Sequence, residues 1–433
     1  MTEMVEQMRI SAVAEKVEAR LRKRYGVERR FRLYGVAAIA VALTFLAVLL
    51  FSVLSQGVSA FRQNEVRLAI SFDPAVIDPD GRRDHAILAN ADYAALIRQA
   101  LLAHFPDADD RTGRRELSRL MSQGAELELR KLVLSDPSVI GTRRELWLPV
   151  TAAVDQLAKG HISRAAEQGG QFSERELARF DVLVAQGLLQ PRFNKWLFTQ
   201  GDSRQPEMAG LLGAIVGSFY ALVVTLALSF PLGVATAVYL EEFAGTNRWT
   251  DLVEVNINNL AAVPSIVFGL LGLEIFLNLF GLPRSAPFVG GLCLTLVSLP
   301  TIIIAARVSL KAVPPWIREA AVGLGASRLQ VVSHHVLPLA MPGILTGTII
   351  GMARAVGESA PLLMIGMVAF IVDVPATPMD PATALPVQIY LWAASPERAF
   401  IERTSAAILV LLCFLAAMNA AAIYLRKRFE RRW

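Results

Sequence analysis

The sequence predicts an all-α polytopic membrane protein with six transmembrane helices and one soluble domain between the first and second of them. Hydrophobic residues make up 54% of the 433 residues, and the mean hydropathy of +0.44 is higher than soluble domains show. Charged residues make up only 19% and are clustered between long apolar stretches. The net charge of +5 does not indicate nucleic-acid binding, because the basic residues crowd the two ends of the chain, as in a membrane orientation signal.

The first predicted elements are a basic cytoplasmic leader at residues 1–34 and a transmembrane helix at 35–58. The apolar stretch is long enough to cross ~30 Å of hydrocarbon. A cleaved signal peptide is the alternative, but such peptides have shorter apolar regions and shorter charged leaders. The sequence therefore favours an uncleaved helix that stays in the membrane.

Residues 59–205 are predicted to form a small, mainly helical, water-soluble domain in which acidic and basic residues balance. The alternation in "VRLAISF" predicts a strand. Amphipathic helices are predicted for "DYAALIRQALLAHF", "RRELSRLMSQGAELELRKLVL" and "SERELARFDVLVAQGLL". Ser173 and Glu176 form a capping box at the start of the last of these helices.

Five further spans are predicted in residues 206–425, near 211–240, 257–280, 287–310, 342–370 and 404–425. A basic cytoplasmic tail at 426–433 follows them. The positive-inside rule then places both ends in the cytoplasm and residues 59–205 on the extracytoplasmic side. The loop at 241–256 is acidic although it falls on the cytoplasmic side, but acids carry little weight in this rule.

The loop at 315–340 connects the fourth and fifth spans and is predicted to form two short helices. The two prolines at 314–315 end the preceding span, because proline cannot continue a helix. A short helix then follows from Trp316 to Leu324, with Glu319 in its first turn, where the helix dipole favours an acid.

A turn and a second short helix complete this loop. Gly325 can adopt the left-handed conformation that closes the first helix. Ser327 and Gln330 form a second capping box, which starts the next helix at once. That helix is expected to end before Pro338, and the fifth span is expected to open at Pro342. The result is a helix–turn–helix elbow, and an ordinary surface loop is the simpler alternative.

The elbow resembles the cytoplasmic EAA signature of ABC importer permeases. The matching pattern is Glu-Ala-Ala, three residues, a glycine, and a Leu-Pro pair further on. His335 departs from it, standing where a branched apolar residue is usual. The resemblance implies a type I ABC importer permease fold whose elbow docks on a separate ATP-hydrolysing subunit. It assigns ATPase coupling to Glu319, Ala320, Ala321, Gly325, Leu337 and Pro338.

The sequence has no G-x-x-x-x-G-K-[ST] motif, so the chain itself lacks the usual phosphate cradle for a nucleotide. We therefore expect no cofactor on this chain, with ATP and Mg²⁺ held by a partner ATPase. No nucleophile–base pair and no metal-ligand spacing is present in the spans. The chain is accordingly predicted to be a transporter subunit and not an enzyme, with no catalytic and no metal-binding residues.

Charged residues in the membrane-spanning regions give candidates for a substrate pathway. Arg354 and Glu358 lie four residues apart in the fifth span, and charges within a span normally face a bundle interior or a pathway. A buried salt bridge between them is the alternative. Arg307 is a second candidate, although it lies near the cytoplasmic end of its span and could simply snorkel to the surface. Glycines at 343, 347 and 351 predict close packing of the fifth span against a neighbouring helix.

Three stretches resemble phosphate importer permeases of the PstA type: the Arg-Ala-x-Gly-Glu-x-Ala-Pro run around Arg354, "NLAAVPSIVFGLLGL" and "LPTIIIAARVSLKAVPPWIREAA". The resemblance covers about residues 205–430. It implies inorganic phosphate as substrate and a multi-pass location in a bacterial inner membrane. The implied partners are an ABC ATPase dimer, a second related permease, a periplasmic phosphate-binding protein and membrane lipid. A planar guanidinium can bind phosphate oxygens through two hydrogen bonds, which suits Arg354 to this substrate.

Other functions remain open at this point. A permease for another oxyanion, such as sulfate or molybdate, would suit Arg354 equally well. A membrane sensor could use residues 59–205 as its ligand domain, but no cytoplasmic segment is long enough for an output domain. A membrane-embedded hydrolase would need a catalytic constellation that the spans do not contain.

Overall fold

The computed structural model describes residues 2–108, 110–162, 172–245, 247–368 and 370–429, without the side chains of residues 2–20, 22 and 23. Much of the predicted basic leader, and residues 430–433 of the predicted tail, therefore lie outside the description. The chain divides into two compact units, Met1–Ser55 and Gln56–Trp433. In the first unit, helix α1 (Thr2–Ala60) begins, and its segment Arg24–Ala60 is long and apolar enough to cross a membrane.

The second unit contains the inserted domain, which is built on a three-stranded antiparallel sheet. Its strands are β1 (Arg62–Ser71), β2 (Arg143–Pro149) and β3 (Leu189–Phe193), in the order β2-β1-β3. In the register, Glu65 lies opposite Pro149 and Val66 lies opposite Leu189. The sequence predicted only β1. It missed β2 and β3 because exposed residues fill the first three positions of β2 and four of the five positions of β3, which hides the alternation of apolar side chains.

Helices and apolar side chains pack on the sheet and form a separate hydrophobic core. The helices described in this domain are α2 (Pro74–Ile77), α3 (His85–Ala89), α4 (Tyr93–His104), α5 (Arg111–Ser118), α6 (Gln123–Ser135), α7 (Ala152–Ala158), α8 (Glu174–Ala185) and α9 (Trp196–Thr199). The capping box of Ser173 and Glu176 is confirmed at the start of α8. The helix predicted around residues 114–134 is instead two helices, because Ser122 caps α6 at its own N-terminus.

The rest of the second unit is helical. It contains α10 (Leu212–Val238), α11 (Arg248–Ala261), α12 (Ser265–Gly272), α13 (Pro287–Lys311), α14 (Pro315–Gly323), α15 (Arg328–Gln330), α16 (Leu337–Gly357), α17 (Ala360–Met364), α18 (Leu385–Ala393) and α19 (Ala399–Phe429). Turns of π-helix extend α10 over Tyr239–Phe243 and α12 over Leu273–Leu279, and join α15 to α16 over Val331–Val336.

Five helices of the described residues are long and apolar enough to cross a membrane, and a bent pair would make a sixth span if it is counted as one. These five are Arg24–Ala60, Leu212–Phe243, Pro287–Lys311, Arg328–Gly357 and Ala399–Arg428. The helical, multi-span fold class is therefore confirmed. The predicted boundaries at 211–240, 287–310 and 404–425 fall within or close to three of these helices.

Two predicted spans differ from the structure. The span at 257–280 is not one helix, because Arg248–Ala261 and Ser265–Leu279 meet at a bend of 102°. Pro264, which has no backbone N–H, lies at that break. The span at 342–370 ends early, because helix α16 stops at Gly357 and Glu358 has an extended backbone.

Small residues set the packing of α13 against its neighbours. A Cβ atom at Gly347 would lie 2.1 Å from the Cβ of Ala305, and one at Gly343 would lie 2.4 Å from Oγ of Ser309. Only glycine allows α16 to approach α13 this closely. The close packing predicted from these glycines is therefore confirmed.

A buried cluster of charges joins the inserted domain to the first turn of α19. The Glu402 carboxylate accepts hydrogen bonds from Ser59 Oγ at 2.5 Å, from Lys159 Nζ at 2.7 Å and from the Gln156 amide. Lys159 also bonds Asp155 at 2.7 Å, and the side chains of Lys159, Asp155 and Glu402 are all at least 88% buried. Removing one partner from a buried cluster of this kind costs about 3–5 kcal/mol, so the cluster fixes how the domain sits on α19.

A second contact beside this cluster involves Arg403 and Glu207. Arg403 is buried, and its Nη2 donates to the backbone oxygen of Glu207 at 3.4 Å. Burial raises the pKa of the Glu207 carboxyl, while hydrogen bonds and the charge of Arg403 oppose the rise. The inserted domain and the start of α19 thus share one continuous polar interior.

Candidate functional site

The predicted elbow is present and is built by proline, glycine and a capping box. Helix α14 starts at Pro315, with Pro314 at its cap position. Gly325 follows the helix with φ of +86°, the left-handed conformation that side chains with a Cβ rarely adopt. Ser327 and Gln330 form the expected capping box. Because α14 begins one residue earlier than predicted, Glu319 lies beyond its first turn.

The second helix of the elbow does not end before Pro338, as was predicted, and the fifth span does not begin at Pro342. Helix runs continuously from Arg328 to Gly357 and passes through both prolines. Pro338 lies two residues after the end of the π-helical turn Val331–Val336. A proline ring normally clashes with the carbonyl four residues earlier, and the wider π turn changes which carbonyls lie next to the ring. The elbow and the membrane helix are consequently one element.

The elbow residues assigned to coupling divide into exposed and packed groups. Glu319, Ala320 and Gly325 are exposed, whereas Ala321 is buried in a core with Ile317. The two remaining coupling residues, Leu337 and Pro338, are half-buried at the start of α16, and the neighbouring His335 is exposed.

Large apolar side chains on the elbow point into solvent. Leu324 is 90% exposed, Leu329 67% and Trp316 62%. This degree of exposure outside the apolar spans is typical of a surface that another protein covers. On one side of the elbow Ala321 packs into the hydrophobic core, and the opposite side is exposed.

Arg318 holds α14 against the membrane helices through four acceptors. Its Nη2 donates to Glu242 Oε1 at 2.7 Å and to the Leu310 carbonyl at 2.9 Å, and its Nη1 donates to the Val313 carbonyl at 2.7 Å. Its Nε lies 3.2 Å and 3.3 Å from the two oxygens of Glu242. Glu242 belongs to the π turn after α10, so Arg318 ties together the elbow, the end of α13 and the end of α10.

Arg307 is held in a similar way and does not stand free in a pathway. It forms ion pairs with Glu241, at 3.5 Å, and with Glu254 of α11. Lys311, one turn further along α13, also lies 3.6 Å from Glu241. The side chain of Arg307 is only 15% exposed. Arg307 thus lies in the joint between the end of α10, α11 and α13.

These pairs explain why the loop at 241–256 is acidic. Glu241, Glu242 and Glu254 each meet a basic residue of α13 or α14. The acids in this loop, which conflict with the positive-inside rule, were a sequence signal from which these ion pairs could have been predicted. Acids on a strongly basic face of a membrane protein indicate partners nearby.

Arg354 and Glu358 do come together, but not as a buried salt bridge. Arg354 Nε lies 3.7 Å from Glu358 Oε1, and the side chain of Arg354 is 50% exposed. Arg354 belongs to the last turn of α16, about 24 Å along the helix from Pro338 at 1.5 Å per residue. A half-exposed guanidinium with one loosely held partner keeps most of its donors available for an anion.

The described part of the chain brings together no group of three or more His, Cys, Asp or Glu residues that could hold a metal ion. The candidate site consists of two regions at opposite ends of the helix Arg328–Gly357. The elbow and its clamp lie at one end, and Arg354 lies at the other.

Two protein families match different parts of the chain. Residues 229–433 match the family described as "Binding-protein-dependent transport system inner membrane component". Residues 18–168 match a "Domain of unknown function", DUF3333.

Curated relatives match a large part of the chain. The "Phosphate transport system permease protein PstA 1" of Mycobacterium tuberculosis (strain CDC 1551 / Oshkosh) is 33% identical over 253 residues, which cover 58% of this chain and 82% of the relative. A "Phosphate transport system permease protein PstA" of Haemophilus influenzae is 30% identical over 251 residues, covering 58% and 86%. The "Probable ABC transporter permease protein YqgI" of Bacillus subtilis is 35% identical over 185 residues, covering 42% and 62%.

Among solved structures, an inward-facing form of the MetNI methionine ABC transporter matches with a TM-score of 0.42 and 19% identity. It covers 51% of this chain and 95% of that chain. A TM-score below 0.5 does not by itself establish a shared fold.

Exchanging the charges of Arg318 and Glu242 tests the clamp. Arg318→Glu or Glu242→Arg alone places like charges together, so we expect backbone amides of residues 315–326 to exchange with deuterium about tenfold faster, a change of ~1.4 kcal/mol in local opening. The double variant restores an opposite pair and should return exchange most of the way to the original rate. Exchange in the inserted domain is the internal control. If the two single variants exchange like the parent, Arg318 does not hold the elbow.

Proposed function

Because the chain belongs to the binding-protein-dependent transport permeases, and within them to the PstA-type phosphate permeases, we propose that it is the transmembrane subunit of an ATP-driven importer of inorganic phosphate. The likeness to a PstA 1 protein over 82% of that protein supports this assignment. Helical spans, an exposed elbow and a half-exposed arginine are the features that such a subunit needs. The type I importer fold predicted from the EAA pattern is consistent with this family.

The proposed location is a bacterial inner membrane, crossed several times, with both ends in the cytoplasm. In this topology the elbow faces the cytoplasm and the inserted domain faces the extracytoplasmic side. The acids at 241, 242 and 254 lie on the cytoplasmic face, where their basic partners lie as well. Because these acids are paired with basic residues, they do not argue against this topology.

The elbow is the proposed handle for an ABC ATPase dimer. The observation that carries this proposal is the unbroken helix from Arg328 to Gly357, which joins the exposed elbow to the region of Arg354. Leu324 and Trp316 would enter an apolar groove of the ATPase, and Glu319 and Ala320 would lie at its edge. The packed residues Ala321, Leu337 and Pro338 would pass the motion on to the membrane helices.

ATP binding and hydrolysis are proposed to occur on the partner alone. ATP and Mg²⁺ would lie in the ATPase dimer, and this chain would bind no cofactor and catalyse no reaction. Closure of the ATPase dimer would pull the elbow of this chain and that of a second permease. The pathway would then face the other side of the membrane. Such a mechanism needs elbows that move with their spans and not independently of them.

Arg354 is the proposed phosphate contact on this chain. Its exposed half would face the pathway, and Glu358 would keep the guanidinium oriented while no phosphate is bound. An arriving phosphate would compete for donors that Glu358 holds only loosely at 3.7 Å. We propose a positioning role for Arg307, because two carboxylates already occupy it.

A second, related permease would form the other wall of the pathway, and a periplasmic phosphate-binding protein would deliver the substrate. Arg354 is half-exposed in the single chain, as expected of a residue at a boundary that another subunit completes. An importer of sulfate or molybdate is the second candidate, since a guanidinium recognises any tetrahedral oxyanion.

Replacing Arg354 by Gln tests the substrate contact. We expect radiolabelled phosphate uptake by cells or vesicles to fall at least tenfold, because the amide cannot form two charge-assisted hydrogen bonds. Arg284→Gln removes an exposed arginine outside the proposed pathway and should leave uptake unchanged. Near-normal uptake by the Arg354 variant would refute the role. Stronger competition by unlabelled sulfate or molybdate than by phosphate would favour the other importer.

A matched pair of glycine variants tests the handle. Gly323 and Gly325 both have open space where a Cβ atom would lie, but only Gly325 has a positive φ. Gly325→Val forces a β-branched residue into the left-handed region and should abolish co-purification of the ATPase with the membrane-inserted chain. Gly323→Val should leave co-purification close to the parent level. Equal recovery of the ATPase with both variants would contradict the proposed docking.

A further inference from the structure

Three phenylalanines form a stack on the surface of the inserted domain. The rings of Phe61 and Phe198 lie 5.9 Å apart at 8°, and those of Phe198 and Phe193 lie 5.9 Å apart at 1°. Phe193 is 60% exposed, and the other two rings are partly buried. The outer ring of the stack, that of Phe193, is therefore largely exposed on the surface of the domain.

The stack is held in place by a buried asparagine. Asn194 donates from its backbone N–H to the Phe61 carbonyl at 2.9 Å and from Nδ2 to the Ala60 carbonyl at 3.0 Å. Its Oδ1 accepts from the Leu197 amide at 3.2 Å, and the residue is 1% exposed. The three rings are thus fixed to the last residues of α1 and to helix α9.

Exposure of Phe193 is unusual for this domain. Between residues 61 and 205, leaving out residues 109 and 163–171, which the structure does not describe, the exposed large apolar side chains are Val182, Val184 and Phe193. Phe193 is the largest of them and the most exposed. Together with the stacked rings of Phe61 and Phe198, it forms an apolar patch and not a single exposed side chain.

The position of the stack along the chain identifies its surroundings. Phe61 is the first residue after the apolar helix Arg24–Ala60, so the stack lies where this helix ends. Phe61 and Phe198 also pack on a core that includes Leu211 and Ala214, at the start of span α10. Two spans therefore begin or end at the stack, which places it at the level where aromatic side chains meet lipid headgroups.

Exposed cations flank the three rings. Arg62 follows Phe61 and lies opposite Phe193 in the register of β1 and β3, and Lys195 follows Phe193 by two residues. Arg192 is not counted, because it lies 3.7 Å from Glu65 and stacks on Trp147. Cations beside an interfacial aromatic group attract the phosphates of anionic lipids.

We propose that Phe61, Phe193, Phe198, Arg62 and Lys195 form a lipid-binding patch that fastens the inserted domain to the membrane surface. The rings contact the boundary between headgroups and acyl chains, and the two cations bind anionic headgroup phosphates. The domain accordingly lies on the bilayer at this edge and does not stand clear of it. The proposal requires only that α1 and α10 span the membrane, so it does not depend on the substrate.

Spin labels on the full-length chain test the patch in vesicles of phosphatidylcholine and phosphatidylglycerol. In a background with Cys293→Ala and Cys413→Ala, one label is placed at Phe193→Cys and a matched control at Val184→Cys, which is also exposed on the same domain. Collisions with oxygen, which concentrates in lipid, are compared with those of a water-soluble nickel chelate. We expect the oxygen-to-nickel ratio at position 193 to exceed that at position 184 at least threefold.

A third label leaves the stack intact and separates the possible outcomes. Thr199→Cys lies next to Phe198 and is exposed, and it should give a ratio between those of the other two positions. Replacing Arg62 and Lys195 by Gln should lower the ratio at position 199, and omitting phosphatidylglycerol should have the same effect. Equal ratios at positions 193 and 184 would overturn the patch. A label at position 193 that is shielded from both reagents would show a protein partner and would equally overturn it.

Discussion

The helix that runs without a break from Arg328 to Gly357 is the element on which the proposed coupling depends. It begins in the exposed elbow, passes two prolines and ends just beyond Arg354. A π turn before Pro338 shifts the hydrogen-bond register near that ring, while Pro342 lies within the regular α16. A force on the elbow can therefore reach the region of Arg354 through one rigid body.

Ion pairs join the elements next to this helix. Arg318 links α14 to Glu242 at the end of α10, and Arg307 links α13 to Glu241 and to Glu254 in α11. On the other side of the molecule, Glu402 and Lys159 fix the inserted domain to α19. Buried or half-buried charges occupy both joints, and such pairs specify one geometry more than they add stability. Each joint is thus a place where relative movement is costly.

Features that depend on interactions between residues close together in the chain could be predicted from the sequence. The elbow was predicted because Gly325 needs a positive φ and Ser327 supplies a capping hydroxyl, and both act within a few residues. The close packing at Gly347 followed from spacing alone. The prediction that the helix ends before Pro338 was wrong. The helix continues there through a π turn, which sequence patterns do not indicate. The ion pairs of Arg307 were not predicted, because its carboxylate partners lie more than fifty residues away in the chain.

The distance between labels at Leu329→Cys and Ile350→Cys, both exposed, tests the continuity of this helix most directly. An unbroken helix predicts a single narrow distribution of label distances, because the two Cα atoms are then held ~32 Å apart at 1.5 Å per residue. In membranes that also hold the ATPase, the distribution should stay the same with and without ATP. Two populations, or a shift of several ångströms on adding ATP, would show a hinge at the prolines and contradict coupling through a rigid helix.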